Sequence, residues 1–215
     1  MELYILRHGT TEWNVTGRFQ GCNDIPLNEN GRRLALILSQ SLADVPIDAA
    51  VTSPLCRAQE TAHLVLGERD GKVPFLVDER IREYHFGELE GLSTGGPHPQ
   101  VTSEVTAQYF DLAHPDNRVP GGDSLREVID RAASFMEEIL NKKEWEDKRI
   151  LVSTHGCMTR ALLHTIWQDQ DFWHGCVPPN CSISIVKAQN GRVTDLEQDH
   201  LFYDPFEATP MAYKL

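Results

Sequence analysis

The sequence predicts an α/β protein, a three-layer sandwich in which helices flank a mainly parallel central sheet. Short runs of bulky apolar residues, typical of strands buried on both faces, alternate with longer segments whose apolar residues repeat at helical spacing. Strands separated by helices favour a parallel sheet, because a parallel pair needs a crossover connection. No internal repeat or low-complexity tract interrupts this alternation. We expect the 215 residues to form a single domain, 1–215, with a sizeable core.

The first half of the chain predicts three strands and two helices. The predicted strands are 3–6, 48–52 and 73–77, and the predicted helices are 32–43 and 53–66. A polar loop is expected from Gly9 to Asn30, since turn residues are frequent there. Asn28 is the expected N-cap of the first helix, while Ser53 and Pro54 are expected as N-cap and first residue of the second. Pro74 fits best at the start of its strand.

The second half begins with a segment at about 92–122 that we expect to leave the core, and we call it the excursion. It is rich in glycine and proline around one helix-like segment near 101–112. Asp123 or Ser124 is expected to cap a long amphipathic helix that ends near Lys142. The remaining predicted elements are a buried strand at 150–154, a helix at 158–167, and strands at 183–186 and 193–196. We expect the segment 201–206 to pack on the core; pocket closure or pairing of two chains into a homodimer is the alternative.

Charge and cysteine content exclude several classes of protein. The chain has 32 acidic and 20 basic residues, a net charge of −12, which disfavours duplex nucleic acid and anionic membranes as partners. No apolar run approaches the roughly 18 residues of a membrane span, and the N-terminal MELYILRHG is not a targeting peptide. The five cysteines are scattered without a CxxC pair, which predicts no disulfide framework and a cytoplasmic location. They are Cys22, Cys56, Cys157, Cys176 and Cys181.

Histidines and arginines follow the most apolar strands. Arg7 and His8 end the first strand, His155 ends the strand at 150–154, and Arg57 lies just after the strand at 48–52. Sites in open α/β sheets gather at the carboxyl ends of strands, so these side chains converge if the three strands are neighbours. Glycine after each histidine permits close approach of backbone or ligand. Two arginines beside two histidines favour an anionic guest, and a phosphoryl group suits guanidinium best.

Motifs along nearly the whole chain resemble the histidine phosphatase superfamily, which includes cofactor-dependent phosphoglycerate mutases and many phosphomonoesterases. RHG alone is a weak signal, but five further motifs follow in the family's order. The motifs are RHGTTEWN continuing into GRFQGCNDIPLNENG, then SPLCRAQETA, REYHFGELEG, PGGDS, STHG and PNCSI. The resemblance implies the family's α/β fold, a phosphohistidine intermediate, and no metal or other cofactor.

The resemblance also implies residue roles. His8 is the expected nucleophile and Glu83 the general acid, although Glu79, Glu88 and Glu90 lie nearby. The expected phosphoryl-binding residues are Arg7, Asn14, Gln20, Arg57 and His155, and the arginines and His155 are also counted as catalytic. Phosphoryl transfer needs positioning and cationic stabilisation of oxygens, together with a proton donor for the leaving group, so the residue types agree with these roles.

The excursion separates two activities within the family. Phosphoglycerate mutases resemble one another in a longer, basic insertion there that holds the second anionic group of the substrate. Residues 92–117 contain no lysine or arginine, and only Arg118 follows. We therefore expect a metal-independent phosphatase acting on a small phosphorylated metabolite, with phosphoglycerate mutase as the alternative. A catalytically inactive protein of the same fold that only binds a phosphorylated ligand is disfavoured, since the expected nucleophile His8 and the expected acid Glu83 are both present.

Other residues near the motifs have simpler interpretations. His85 faces either the pocket or solvent, and a zinc site of His174, Cys176 and Cys181 matches no structural zinc spacing. Three cysteines within the motifs are expected to be small buried residues. These are Cys22, Cys56 and Cys157. The alternative is oxidation-sensitive thiols, since neighbouring arginines lower thiol pKa values. Trp13, Phe19 and Tyr84 are candidates for shaping the leaving-group site.

Overall fold

The structure, a computed structural model, describes residues 1–95, 99–167, 171–173 and 175–204. Within this part of the chain, the strands form one six-stranded sheet in the order β3-β2-β4-β1-β5-β6. The strands are β1 (Glu2–Arg7), β2 (Ala49–Thr52), β3 (Phe75–Val77), β4 (Arg149–Thr154), β5 (Ile183–Gln189) and β6 (Arg192–His200). The first four are mutually parallel, while β5 runs antiparallel to β1 and to β6. The predicted fold class is therefore confirmed.

Helices cover both faces of the sheet. They are α1 (Glu12–Val15), α2 (Glu29–Ser41), α3 (Cys56–Leu66), α4 (Ser103–Ala107), α5 (Leu125–Leu140) and α6 (Gly156–Trp167). Leu3 and Ile5 of β1 pack in a core cluster with residues of α5 and α6. Tyr4 and Leu6 pack on the opposite face with residues of α2 and α3. This alternation along one strand divides the core into the two apolar layers of a sandwich.

Two predicted helix caps are confirmed. The Asn28 side chain accepts a hydrogen bond from Gly31 N at 2.8 Å and begins α2. Ser124, rather than Asp123, begins α5 through a capping box in which Ser124 Oγ accepts from Glu127 N and the Glu127 carboxylate accepts from Ser124 N. Such reciprocal bonds satisfy backbone donors that the first helical turn leaves unpaired. The strand predicted at 73–77 is shorter than expected: it begins at Phe75, and Pro74 lies immediately before it.

The predicted start of α3 is wrong. The helix begins at Cys56 rather than at Ser53-Pro54, and its N-cap residue Leu55 makes no side-chain cap bond. Asp24, 32 residues earlier in the chain, instead accepts a hydrogen bond from Cys56 N at 2.7 Å. This long-range cap frees Ser53 for another contact, described below.

Other predicted boundaries shift for local reasons. The expected loop 9–30 contains the short helix α1, which Thr11 and Asn14 cap reciprocally. The helix expected near 101–112 is limited to α4, and β6 is longer than the predicted strand at 193–196. Phe202 and Tyr203 pack on the core, while positions 205 and 206 lie outside the described residues. No helix in the described ranges is long and apolar enough to cross a membrane.

Candidate active site

The sheet order brings the predicted site residues together. Strands β2, β4 and β1 are adjacent and parallel, so Arg57, His155 and His8 meet at one edge of the sheet. The imidazole rings of His8 and His155 lie 5.2 Å apart between centroids. Gly156 permits this convergence, because a Cβ there would lie 3.0 Å from Val177 Cγ1 and 3.5 Å from Arg7 Cζ.

The His8 ring is fixed in one useful tautomer. Its Nδ1 lies 2.7 Å from the carbonyl oxygen of Gly9, which can only accept a hydrogen bond. Nδ1 therefore carries the proton in the neutral ring, and Nε2 keeps its lone pair. Burial, with Arg57 and then Arg7 adding repulsion, holds the pKa of His8 well below its ordinary value. The ring is thus neutral at neutral pH, with an unprotonated Nε2 that is suited to nucleophilic attack.

The two guanidinium groups are held by backbone carbonyls. Arg57 donates from Nη1 to Asn23 O and from Nη2 to Gly21 O, each at 2.8 Å. Arg7 donates from Nη1 to Pro178 O. Arg57 is fully buried, and burial lowers its pKa. Neutral carbonyls orient the Arg57 cation through hydrogen bonds, and a cation held in this way attracts an anion.

His155 lies behind His8 rather than on the pocket wall. It is fully buried and is absent from the residues that line the pocket. Its Nε2 lies 2.7 Å from Ser53 Oγ, which makes Ser53 part of the site. Burial, followed by the charge of Arg57, holds the pKa of His155 well below its ordinary value. Sequence reasoning missed this function of Ser53 because Ser-Pro before a helix is typical of a helix cap.

Glu83 is the one nearby carboxylate of the four that lines the pocket. Its oxygens accept hydrogen bonds from the backbone N–H groups of Tyr84, Cys157 and Met158 at 2.9, 3.2 and 3.1 Å. The last two belong to the first turn of α6, whose N-terminus favours a negative group. The carboxyl group is thus oriented by backbone at the same edge as His8.

The other three carboxylates lie elsewhere. Glu79 and Glu88 are exposed at the surface. Glu90 Oε1 accepts hydrogen bonds from the backbone N–H groups of Cys22 and Phe86 at 2.9 and 3.1 Å. Glu90 therefore ties two loops together beside the pocket, and only Glu83 of the four points into it.

Asn14 and Gln20 complete the polar end of the pocket. Both are buried and line it, and Gln20 Oε1 makes no hydrogen bond within the described part of the chain. Asn14 Oδ1 accepts from Thr11 N at 3.0 Å. Asn180, of the PNCSI motif, donates from Nδ2 to His8 O at 2.9 Å and so fixes the backbone that carries the nucleophile candidate. Sequence reasoning quoted this motif but gave Asn180 no function.

Most of the other described residues that line the pocket carry aromatic rings or hydroxyl groups. The pocket holds about 740 Å³ of empty space, part of it open to solvent. Four hydroxyl side chains and four aromatic rings line it. They are Thr94, Thr102, Ser103 and Thr106, with Phe19, Phe86, Phe110 and Trp173. The predicted excursion therefore forms one wall of the site. Tyr84 is buried behind Phe86, with ring centroids 4.8 Å apart, and neither Tyr84 nor Trp13 lines the pocket.

The cysteines near the site are not activated thiols. Burial raises the pKa of Cys22, raises that of Cys56 to about 11, and raises that of Cys157 well above its ordinary value. Neighbouring arginines act in the opposite direction, but burial is the larger effect in each case. Burial therefore opposes formation of the thiolate on which the oxidation hypothesis depends; Cys157 is buried as predicted, whereas Cys22 and Cys56 are only partly buried. Of the three residues weighed as a zinc site, His174 lies outside the described residues.

Known proteins share both the sequence pattern and the fold. The model of the histidine phosphatase superfamily (branch 1) matches residues 3–198. A 2,3-bisphosphoglycerate-dependent phosphoglycerate mutase 2 of Gloeobacter violaceus is 36% identical over 162 residues, which are 75% of this chain and 73% of that protein.

Solved structures agree with the sequence relatives. YhfR of Bacillus stearothermophilus is 31% identical, with a TM-score of 0.77 over 90% of this chain and 94% of that chain. A mycobacterial glucosyl-3-phosphoglycerate phosphatase, solved with VO3, is 31% identical with a TM-score of 0.72, covering 86% and 92% of the two chains. The chain therefore belongs to the histidine phosphatase superfamily, as its motifs predicted.

Proposed function

We propose that the protein is a phosphomonoester hydrolase that works through a phosphohistidine on His8. His8 Nε2 attacks phosphorus, the bond from phosphorus to the ester oxygen breaks, and Glu83 gives the leaving oxygen a proton. Water then attacks the phosphohistidine, Glu83 takes a proton from that water, and the nitrogen–phosphorus bond breaks to release phosphate and restore His8. Proton transfer by a positioned acid or base typically contributes about 10²–10⁴-fold to the rate.

The supporting residues bind the phosphoryl group. Arg7 and Arg57 neutralise its oxygens, and Asn14 and Gln20 lie at the same end of the pocket with amide groups suited to the remaining oxygens. His155 does not line the pocket and its Nε2 contacts Ser53, so only its Nδ1, which has no hydrogen-bond partner within the described residues, is available to the phosphoryl group on His8 Nε2; we assign it this role. The low-dielectric surroundings strengthen each of these interactions relative to water.

The distribution of positive charge around the pocket favours a hydrolase over a mutase. Arg7 and Arg57 are the basic residues among those described as lining the pocket, and both lie at the phosphoryl end. Arg118, the first basic residue after the segment 92–117 that lacks lysine and arginine, donates to Gly122 O at 2.9 Å and to Glu127 at 2.5 Å. It is half-exposed and does not line the pocket. A phosphoglycerate would place its carboxylate against aromatic rings.

The aromatic rings and hydroxyl groups that line the pocket favour an uncharged leaving group with an aromatic or apolar part. Phe110 and Trp173 meet edge to face with ring centroids 4.7 Å apart, and Phe19 and Phe86 meet at 4.6 Å. Such rings bind flat apolar groups, and the adjacent threonine and serine hydroxyls bind ester or sugar hydroxyl groups. We therefore propose small phosphomonoesters of this kind as substrates.

One set of assays tests this function. The purified protein, with chelator present, is given an aryl phosphate or 3-phosphoglycerate, the latter also with a bisphosphoglycerate primer. Hydrolysis of the aryl ester that is lost in His8→Asn and retained in the surface control His114→Asn is the expected result. An acid-labile phosphate on His8 after rapid quenching is also expected. Primer-dependent interconversion of phosphoglycerates faster than hydrolysis overturns the proposal in favour of a mutase, the activity named for several relatives.

A further inference from the structure

Three side chains of different donor type meet beside the active site. Cys22, His85 and Glu90 place a sulfur, an imidazole nitrogen and a carboxylate oxygen within 4.8 Å of one another. His85 Nε2 and Glu90 Oε1 are 3.6 Å apart. None of the three is assigned a part in phosphoryl transfer above. Together they offer a set of donor atoms that one bound cation can share.

We propose that Cys22, His85 and Glu90 form a binding site for Zn²⁺, and that its occupancy inhibits the enzyme. Zinc takes thiolate, imidazole and carboxylate ligands together, whereas magnesium and calcium prefer oxygen ligands alone. Zinc bonds of about 2.0–2.3 Å at tetrahedral angles put ligand atoms about 3.3–3.8 Å apart. The distance from His85 to Glu90 already falls in this range. The two distances that involve Cys22 are at most 4.8 Å, so the ligands need to close by at most about 1.5 Å. Water fills the fourth position.

The surroundings leave room for that closure and for entry of the ion. The His85 side chain is 39% exposed, and Cys22 is half-buried beneath it. The Cys22 thiol gives its proton to solvent as the bond from sulfur to zinc forms, so the thiolate and Glu90 supply two negative charges. Arg82 lies 3.4 Å from Cys22 Sγ, but its guanidinium is already paired with the Asp123 carboxylate at 2.9 and 3.2 Å.

Glu90 is the weakest of the three ligands. Its two oxygens already accept hydrogen bonds from Cys22 N, Phe86 N and Asn23 N. We therefore assign Glu90 mainly charge compensation, with Cys22 and His85 as the principal ligands. For this reason the test depends on those two residues and leaves Glu90, which holds the loops together, unchanged.

The site adjoins the phosphoryl-binding machinery on both sides. Gly21 and Asn23, which flank Cys22, supply the two carbonyls that orient Arg57. Cys22 Sγ also lies 4.0 Å from the carbonyl oxygen of Glu83. Movement of Cys22 toward His85 therefore displaces the acceptors of Arg57. This inhibitory effect rests on the proposed phosphatase function, whereas binding of the ion does not.

Binding is measured first, by calorimetric titration with Zn²⁺ and by the thiolate charge-transfer absorption of Co²⁺. The wild-type chain is compared with Cys22→Ser and His85→Asn, and with the matched controls Cys176→Ser, an exposed thiol, and His114→Asn, an exposed imidazole. Each ligand variant is expected to weaken binding by about tenfold or more, with the controls unchanged. Circular dichroism and urea unfolding check that each variant is folded. Equal affinity in all five proteins, or no binding, overturns the site.

Inhibition is measured separately, by release of a coloured phenol from an aryl phosphate in zinc-buffered solution. Zinc is expected to inhibit the wild type and both controls, with at least tenfold more required for Cys22→Ser and His85→Asn. The inactive variant His8→Asn is expected to bind zinc as the wild type does. Binding with no effect on hydrolysis refutes the coupling to Arg57. Absence of hydrolysis, with binding intact, refutes the proposed function and leaves the zinc site standing.

Discussion

Acidification is expected to destabilise the protein through His8 and His155. Burial and the neighbouring arginines hold the pKa of both rings well below the ordinary value of 6.5, to which they return in the unfolded chain. Below that pH the unfolded state binds two more protons than the folded state. The free energy of unfolding therefore falls as the pH falls through the unfolded-state pKa, and this stabilising contribution is complete only above it.

The magnitude follows from the number of rings. Each proton bound only by the unfolded state changes the free energy of unfolding by up to about 1.4 kcal/mol per pH unit. With both rings neutral in the folded protein, lowering the pH from 7.5 to 5.5 costs about 2.7 kcal/mol. Total stabilities are about 5–15 kcal/mol, so this loss is readily measured. Carboxylates with a lowered pKa, such as Asp123, act only below their ordinary value of 3.8 and do not enter this range.

Urea unfolding at pH 7.5, 6.5 and 5.5 measures the effect. His8→Asn and His155→Asn are each expected to remove about half of the pH dependence, because each leaves one buried ring. The control His114→Asn, at an exposed side chain, is expected to keep all of it. A stability that does not vary over this range, or a full dependence in both single variants, would refute the account of the two rings as buried and neutral.

Three substitutions test other contacts. Arg57→Lys keeps the positive charge but loses the hydrogen bonds to the two backbone carbonyls. We therefore expect kcat/KM for an aryl phosphate to fall about 100-fold or more. A loss of less than tenfold contradicts a role of Arg57 in binding the phosphoryl group. Ser53→Ala removes the hydrogen bond to His155 and should lower kcat by up to about tenfold with little change in KM, as steady-state kinetics would show. Ser124→Ala removes the capping box of α5 and should lower the free energy of unfolding by about 1 kcal/mol in urea, with kcat unchanged.

The sequence predicted the convergence at the sheet edge because strand-end positions follow from topology. Runs such as 3–6 and 150–154 are readable as buried strands, and each carries its histidine at a fixed offset. Because β2, β4 and β1 are parallel neighbours, their carboxyl ends lie side by side at one edge of the sheet. Local capping signals at Asn28 and Ser124 were equally readable, since the bond partners lie three residues away.

Contacts between distant segments could not be read in this way. Ser53 beside Pro54 has the local signature of a helix cap, yet Asp24 caps that helix from another loop. Ser53 then becomes available to His155, which is 102 residues away. Phe19 and Trp173 likewise line the same pocket, although no helix or strand periodicity in the sequence connects two positions so far apart. The position of His155 behind the pocket depends on the same packing.

A net charge of −12 describes the surface of this protein and not its binding site. At the sheet edge, Arg7 and Arg57 are buried against neutral carbonyls, and both histidines are kept neutral by burial and by those same arginines. In the proposed mechanism, a phosphoryl dianion meets these two cations in a low-dielectric pocket and faces His8 Nε2, which carries no proton. The charge of the two arginines therefore has two effects: it attracts the anion, and it adds to burial in keeping His8 neutral in the empty site.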